Sequence, residues 1–143
     1  MRGPGIVNVI ALVTVVGLGA CGGNGQPRPL RQNSQSYSFE ISPDDVPPHA
    51  RQPINYKVVI SDRKTRQPIE NGEGRLFASD SIGAKTWDGF KYGPEIGTYH
   101  AVLHFITPGF WAVAVQFRRD SIHPVERIDW YQDVLNERPG PTP

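Results

Sequence analysis

One cysteine and one methionine are all the sulfur residues in this 143-residue chain, and 15 basic side chains stand against 14 acidic ones with no block of either sign. A single thiol excludes an internal disulfide framework. Near-neutral charge without a basic run argues against nucleic acid as a partner and against electrostatic attraction to a membrane surface. No apolar run reaches the roughly 20 residues that a bilayer-spanning helix needs. There is no internal repeat and no Gly-x-Ser-x-Gly nucleophile elbow. Gly72-Glu73-Gly74 is not followed by the helix pattern that a phosphate cradle requires. The sequence therefore carries no enzyme signature and implies no cofactor. Glycine (15) and proline (14), by contrast, are plentiful. That composition suits short strands joined by turns better than a helical bundle.

The N-terminus reads as an address. Arg2 precedes an apolar stretch over residues 6–18, the length of a signal-peptide core, which gives way to Gly19, Ala20 and Cys21. Leu18-Gly19-Ala20-Cys21 resembles a bacterial lipobox, in which the cysteine is acylated and residues 1–20 are removed. An ordinary secretory signal ending near a cysteine is the other reading. The solitary thiol favours the lipoprotein, because several buried acyl chains at about 0.8 kcal/mol per CH₂ make a stable anchor. Removing residues 1–20 takes away Arg2 and leaves 14 basic against 14 acidic groups. The expected partner is the membrane, through the lipid alone.

Residues 21–35 read as the lipidated cysteine and a disordered tether, 36–136 as one domain, and 137–143 as a disordered tail. Inside the domain the dominant period is two. Tyr37, Phe39 and Ile41 alternate with polar neighbours, as do Ile54, Tyr56, Val58 and Ile60. The same holds for Tyr99, Ala101, Leu103 and Phe105, and for Trp111, Val113, Val115 and Phe117. Residues 74–79 and 84–90 are weaker strands. Thr107-Pro108-Gly109-Phe110 suits a type II turn with positive φ at Gly109, which predicts a hairpin joining 97–106 to 110–118. Over 125–135, Ile128, Trp130 and Val134 fit a strand while Ile128, Tyr131 and Leu135 fit a helix; the strand is preferred because it would close a sandwich. The expectation is an all-β, immunoglobulin-like sandwich of about seven strands. Gly97-Thr98-Tyr99 before Ala101 is compatible with the tyrosine corner of such folds, or with a strand that merely begins so.

The order of features is similar to the YtkA-like domain family: a polar turn with Pro68-Ile69, a Gly-rich middle, Gly97-Thr98-Tyr99, Pro108-Gly109-Phe110-Trp111 and an Ala-Val-Ala-Val strand. The likeness covers roughly residues 52–118. It implies an immunoglobulin-like envelope module, and for FixH-type relatives a role in copper handling or oxidase assembly. The methionine that such copper chemistry would use is missing, since Met1 lies in the signal.

His49, His100, His104 and His123 are the only other candidate metal ligands. On a strand, His100 and His104 lie about 13 Å apart, too far to share one ion. Asp44-Asp45 suits a turn or helix opening, and Glu70, Glu73 and Arg75 a small surface charge cluster. The best ligand candidate is the aromatic segment Trp87, Phe90 and Tyr92, three rings set among glycine and charge. It reads either as a stacking patch for a glycan or an envelope protein, or as rings folded over an open end of the core.

Overall fold

Alternation of apolar and polar side chains builds most of this architecture. The computed structural model describes residues 27–141. Its strands are β1 (Leu30–Asn33), β2 (Tyr37–Pro43), β3 (Pro53–Asp62), β4 (Glu73–Asp80), β5 (Lys85–Gly89), β6 (Lys91–Tyr92), β7 (Thr98–His104), β8 (Gly109–Arg118) and β9 (Glu126–Val134). They form a five-stranded sheet in the order β1-β2-β3-β7-β6 and a four-stranded sheet in the order β5-β4-β8-β9, with every pairing antiparallel. The described residues are all-β, and the segment open to a helical reading is strand β9.

Each sheet turns one face inward. Phe39, Ile41, Tyr56, Val58, Ile60, Tyr99 and Leu103 meet Leu76, Trp111, Val113, Val115 and Phe117, all at most 1% exposed. Tyr37 and Tyr99 each meet Phe117 edge-on, at 5.1 and 5.2 Å between ring centres. His100 and Gln116 are half-buried and His104 is exposed, on the opposite faces of their strands, as the alternation requires. The sequence called signal over 1–20, Cys21 and the first part of the tether lie outside the described residues.

Two expectations need correction, and one open alternative is decided. First, β7 and β8 are not a hairpin: β7 belongs to the five-stranded sheet and β8 to the other. Gly109 does have positive φ, at 113°, but it opens β8 opposite Val134, and the short link before it crosses from sheet to sheet. The alternating faces of the two strands are satisfied by stacking across the core instead of pairing side by side. Second, the folded part begins before residue 36, because Leu30–Asn33 pairs with β2. At the other end, Arg138 reaches the Asp45 carboxylate at 2.6 Å and Leu135 bridges to His49. Third, Tyr99 does not bond a few residues upstream as a tyrosine corner does. Its hydroxyl donates to the Ile69 carbonyl at 2.7 Å and accepts the Gly72 N–H at 2.9 Å, pinning the segment that crosses from β3 to β4.

That bonding makes Tyr99 and Tyr56 a controlled pair. Both rings are at most 1% exposed, yet the Tyr56 hydroxyl has no hydrogen-bond partner among the described residues. Burial pushes both phenols up, Tyr99 to about 12, so both are neutral near pH 7. Tyr99→Phe leaves a buried carbonyl and amide unpaired and is expected to cost about 1–3 kcal/mol. Tyr56→Phe orphans nothing and is expected to melt at or above wild type. Comparing the two melting temperatures checks this; equal losses would contradict it.

Candidate functional site

The β4–β5 hairpin sets the register of the surface that matters. Asp80 closes its turn, accepting the Ile82 and Ala84 N–H groups at 3.0 and 2.8 Å, and Gly83 supplies a φ of 97°. Phe77 consequently lies opposite Trp87, with Arg75 opposite Gly89 on one side and Ser79 opposite Lys85 on the other. The five side chains among them, Gly89 having none, project from the outer face of the four-stranded sheet. Ala112 and Ala114 of β8, then Arg127, Asp129 and Tyr131 of β9, continue that face.

β5 is held firmly although it is an edge strand. Its inward side chains cap the free edge of β7: Asp88 accepts the Val102 N–H at 2.9 Å and Thr86 the His104 N–H at 3.1 Å. Such capping closes an edge that would otherwise invite another strand. It also fixes the strand that carries Trp87.

Trp87 is 68% exposed, an unusual use of the largest side chain in a domain this size. Beside it Phe77 lies between two guanidinium groups, Arg127 at 4.9 Å and Arg75 at 5.4 Å from the ring centre. The two cations differ in their remaining bonds. Arg127 grips Asp129 at 2.5–3.0 Å, and that carboxylate holds its pKa above the ordinary value. Arg75 gives only its Nε, to Gln116 at 2.8 Å, so its two terminal nitrogens have no partner among the described residues. Lys85 has no ion-pair partner among them either. Arg75, Phe77, Ser79, Lys85, Thr86 and Trp87 line an open groove of about 390 Å³ with no carboxylate in its wall.

Trp87, Phe90 and Tyr92 do not form one patch. Phe90 packs inward on Tyr99 and Phe117, with ring centres at 5.7 and 6.5 Å, and Tyr92 lies 5.1 Å from the Tyr99 ring. Both are half-buried, and only Trp87 faces outward. The residues that join it, Arg75, Phe77 and Lys85, were not singled out for binding from the sequence. A signal for them exists: placing the hairpin turn at Ile82 puts Phe77 opposite Trp87, and alternation then brings Arg75, Ser79 and Lys85 to the same face. Of the charged residues Glu70, Glu73 and Arg75, Glu73 and Arg75 share the outer face of β4 but form no ion pair with each other: Glu73 pairs with Arg118 at 2.6 Å.

The four histidines occupy separate settings. His100 stands on β7 between Lys57 and Lys91 of the neighbouring strands, and His104 lies opposite Pro53. His49 contacts Asp45 at 2.7 Å and His123 contacts Asp120 at 2.6 Å, each within its own loop. Among the described residues no three His, Cys, Asp or Glu side chains gather as a metal site would need. Asp44 and Asp45 serve the fold. Asp44 accepts the Asn55 backbone and side-chain N–H groups at 3.0 and 2.6 Å, while Asp45 holds His49 and Arg138. Burial alone would raise the Asp45 pKa, but those two partners outweigh it and hold the carboxyl below its usual range. No protein-family model, curated protein or solved structure matches this chain.

Proposed function

We propose that this chain is a lipid-anchored protein of the bacterial envelope whose β-sandwich, of immunoglobulin-like type, serves as a non-enzymatic binding module. The outer face of the four-stranded sheet is the surface it presents. One observation carries the binding role: Trp87 stands 68% exposed on a braced strand above a groove, where the core makes no use of it. Large aromatic side chains left in water on a rigid element are the usual anchors of recognition surfaces. The lipobox-like Leu18-Gly19-Ala20-Cys21 and the solitary thiol support the anchor, and the order of motifs shared with YtkA-like modules supports the location. An envelope glycan or an envelope protein is the expected partner.

Two measurements test the reading. Cys21→Ala should lose all incorporation of a labelled fatty acid and leave the membrane fraction; wild-type fractionation of that variant would refute the anchor. The mature chain carrying Cys21→Ala should sediment with purified envelope material. Adding Trp87→Ala should abolish sedimentation while stability stays within about 0.5 kcal/mol, as for other surface substitutions. Unchanged sedimentation would refute the binding face.

A further inference from the structure

We propose that the groove beside Trp87 binds a linear acidic saccharide whose sugar units carry carboxylates, an inference that rests on the binding face proposed above. Charge complementarity comes first. Arg75 and Lys85 border the groove without acidic partners, and no carboxylate lines it. The one other cation touching the aromatic pair, Arg127, is already neutralised by Asp129. Arg75 keeps both terminal nitrogens free in the planar fork that matches a carboxylate bidentately.

Position in the sheet then sets the shape of the ligand. Along β4 the order is Arg75, Phe77, Ser79, and Phe77 and Ser79 lie opposite Trp87 and Lys85. The aromatic pair therefore sits midway between the backbone positions of two cationic residues, about 13 Å apart along the strands at four residues of ~3.3 Å each, with the Arg75 guanidinium leaning to 5.4 Å from the Phe77 ring centre. A chain lying along the strands places a ring on Trp87 and acid groups at both ends.

A saccharide fits this surface better than an acidic peptide. Extended peptides draw affinity from main-chain pairing along a sheet edge, whereas what this groove presents, on the outer face of β4 and β5, is side chains. What it offers is an indole for the C–H face of a sugar ring, the Ser79 hydroxyl, and two cations. The Ser79 side chain makes no hydrogen bond to another described residue, so it is free for a sugar hydroxyl.

Calorimetric titration of the mature Cys21→Ala chain tests this with three probes: a galacturonate hexamer, the neutral maltohexaose and a glutamate peptide of matching charge. The galacturonate hexamer is expected to bind at least tenfold more tightly than either control, with affinity falling as salt rises. Trp87→Ala should weaken it at least tenfold. Arg75→Gln and Lys85→Gln should each weaken it severalfold and flatten the salt dependence, with melting temperatures near wild type throughout. Equal binding of maltohexaose would overturn the acidic requirement, and equal binding of the glutamate peptide would overturn the saccharide. Absence of galacturonate binding, with Trp87-dependent envelope sedimentation intact, would overturn this proposal and leave the binding face standing. Loss of both would remove both.

Discussion

Trp111→Ala is expected to cost about 3–5 kcal/mol, the range for deleting a large buried aromatic. The indole is fully buried and meets Phe105 edge-on at 5.1 Å. Its Nε1 also donates to the Thr107 carbonyl at 3.0 Å, inside the link that carries the chain from β7 to β8. One side chain therefore fills the core between the sheets and fastens the crossing that joins them. Thr107 is fixed from its other side, its hydroxyl donating to Asp80 at 2.9 Å. Removing the ring opens a cavity and leaves the carbonyl unpaired. Against the ~5–15 kcal/mol that stabilises a typical domain, this is a large share. Urea unfolding monitored by circular dichroism measures it, with the exposed Trp87→Ala as a control of similar chemistry and little expected effect. A difference below about 1 kcal/mol between the two variants would show that Trp111 does not seal the crossing.

The same crossing shows where sequence reasoning stops. Period-two alternation correctly separates the inward faces of β2, β3, β7 and β8, because burial imposes the pattern wherever a strand has one wet side. Alternation is silent on whether two such strands pair edge to edge or stack face to face. A short link with Pro108 and Gly109 serves either arrangement, and in this chain it crosses from one sheet to the other. β1 and β6, of four and two residues, are too short to show any period, and their pairing is decided by the strands beside them. The site was half legible. Trp87 stood out by its chemistry, but Phe90 lies three positions on and so belongs to the opposite face of an extended chain. Its inward course was available from counting alone. What makes room for it was harder to see.

Gly74→Ala is the second large loss expected, and it concerns that room. A Cβ on Gly74 would overlap the Gln116 carbonyl oxygen on the neighbouring strand and come within 2.8 Å of the Phe90 ring and 3.1 Å of the Phe117 ring. The oxygen belongs to the β4–β8 ladder, in which Gly74 lies opposite Phe117, so it cannot swing aside as a flexible side chain would. Phe90 is tied as well, its N–H donating to the Gly74 carbonyl at 2.9 Å. The bare backbone of Gly74 is thus the bed on which Phe90 lies, and it turns inward the chain that has just presented Trp87 outward. Overpacking of this kind costs about 1–3 kcal/mol, and more where backbone must shift. Gly89→Ala is the matched control, since a Cβ there meets nothing within 4 Å and its φ is not positive. It should be neutral or slightly stabilising through loss of unfolded-chain freedom. Phe90→Ala in the Gly74→Ala background should recover only part of the loss, because the clash with the Gln116 oxygen remains. Thermal melts of the three variants beside wild type decide it: if Gly74→Ala and Gly89→Ala melt together, Gly74 is no bed for Phe90. If the double variant recovers fully, the ring and not the ladder is what the methyl meets.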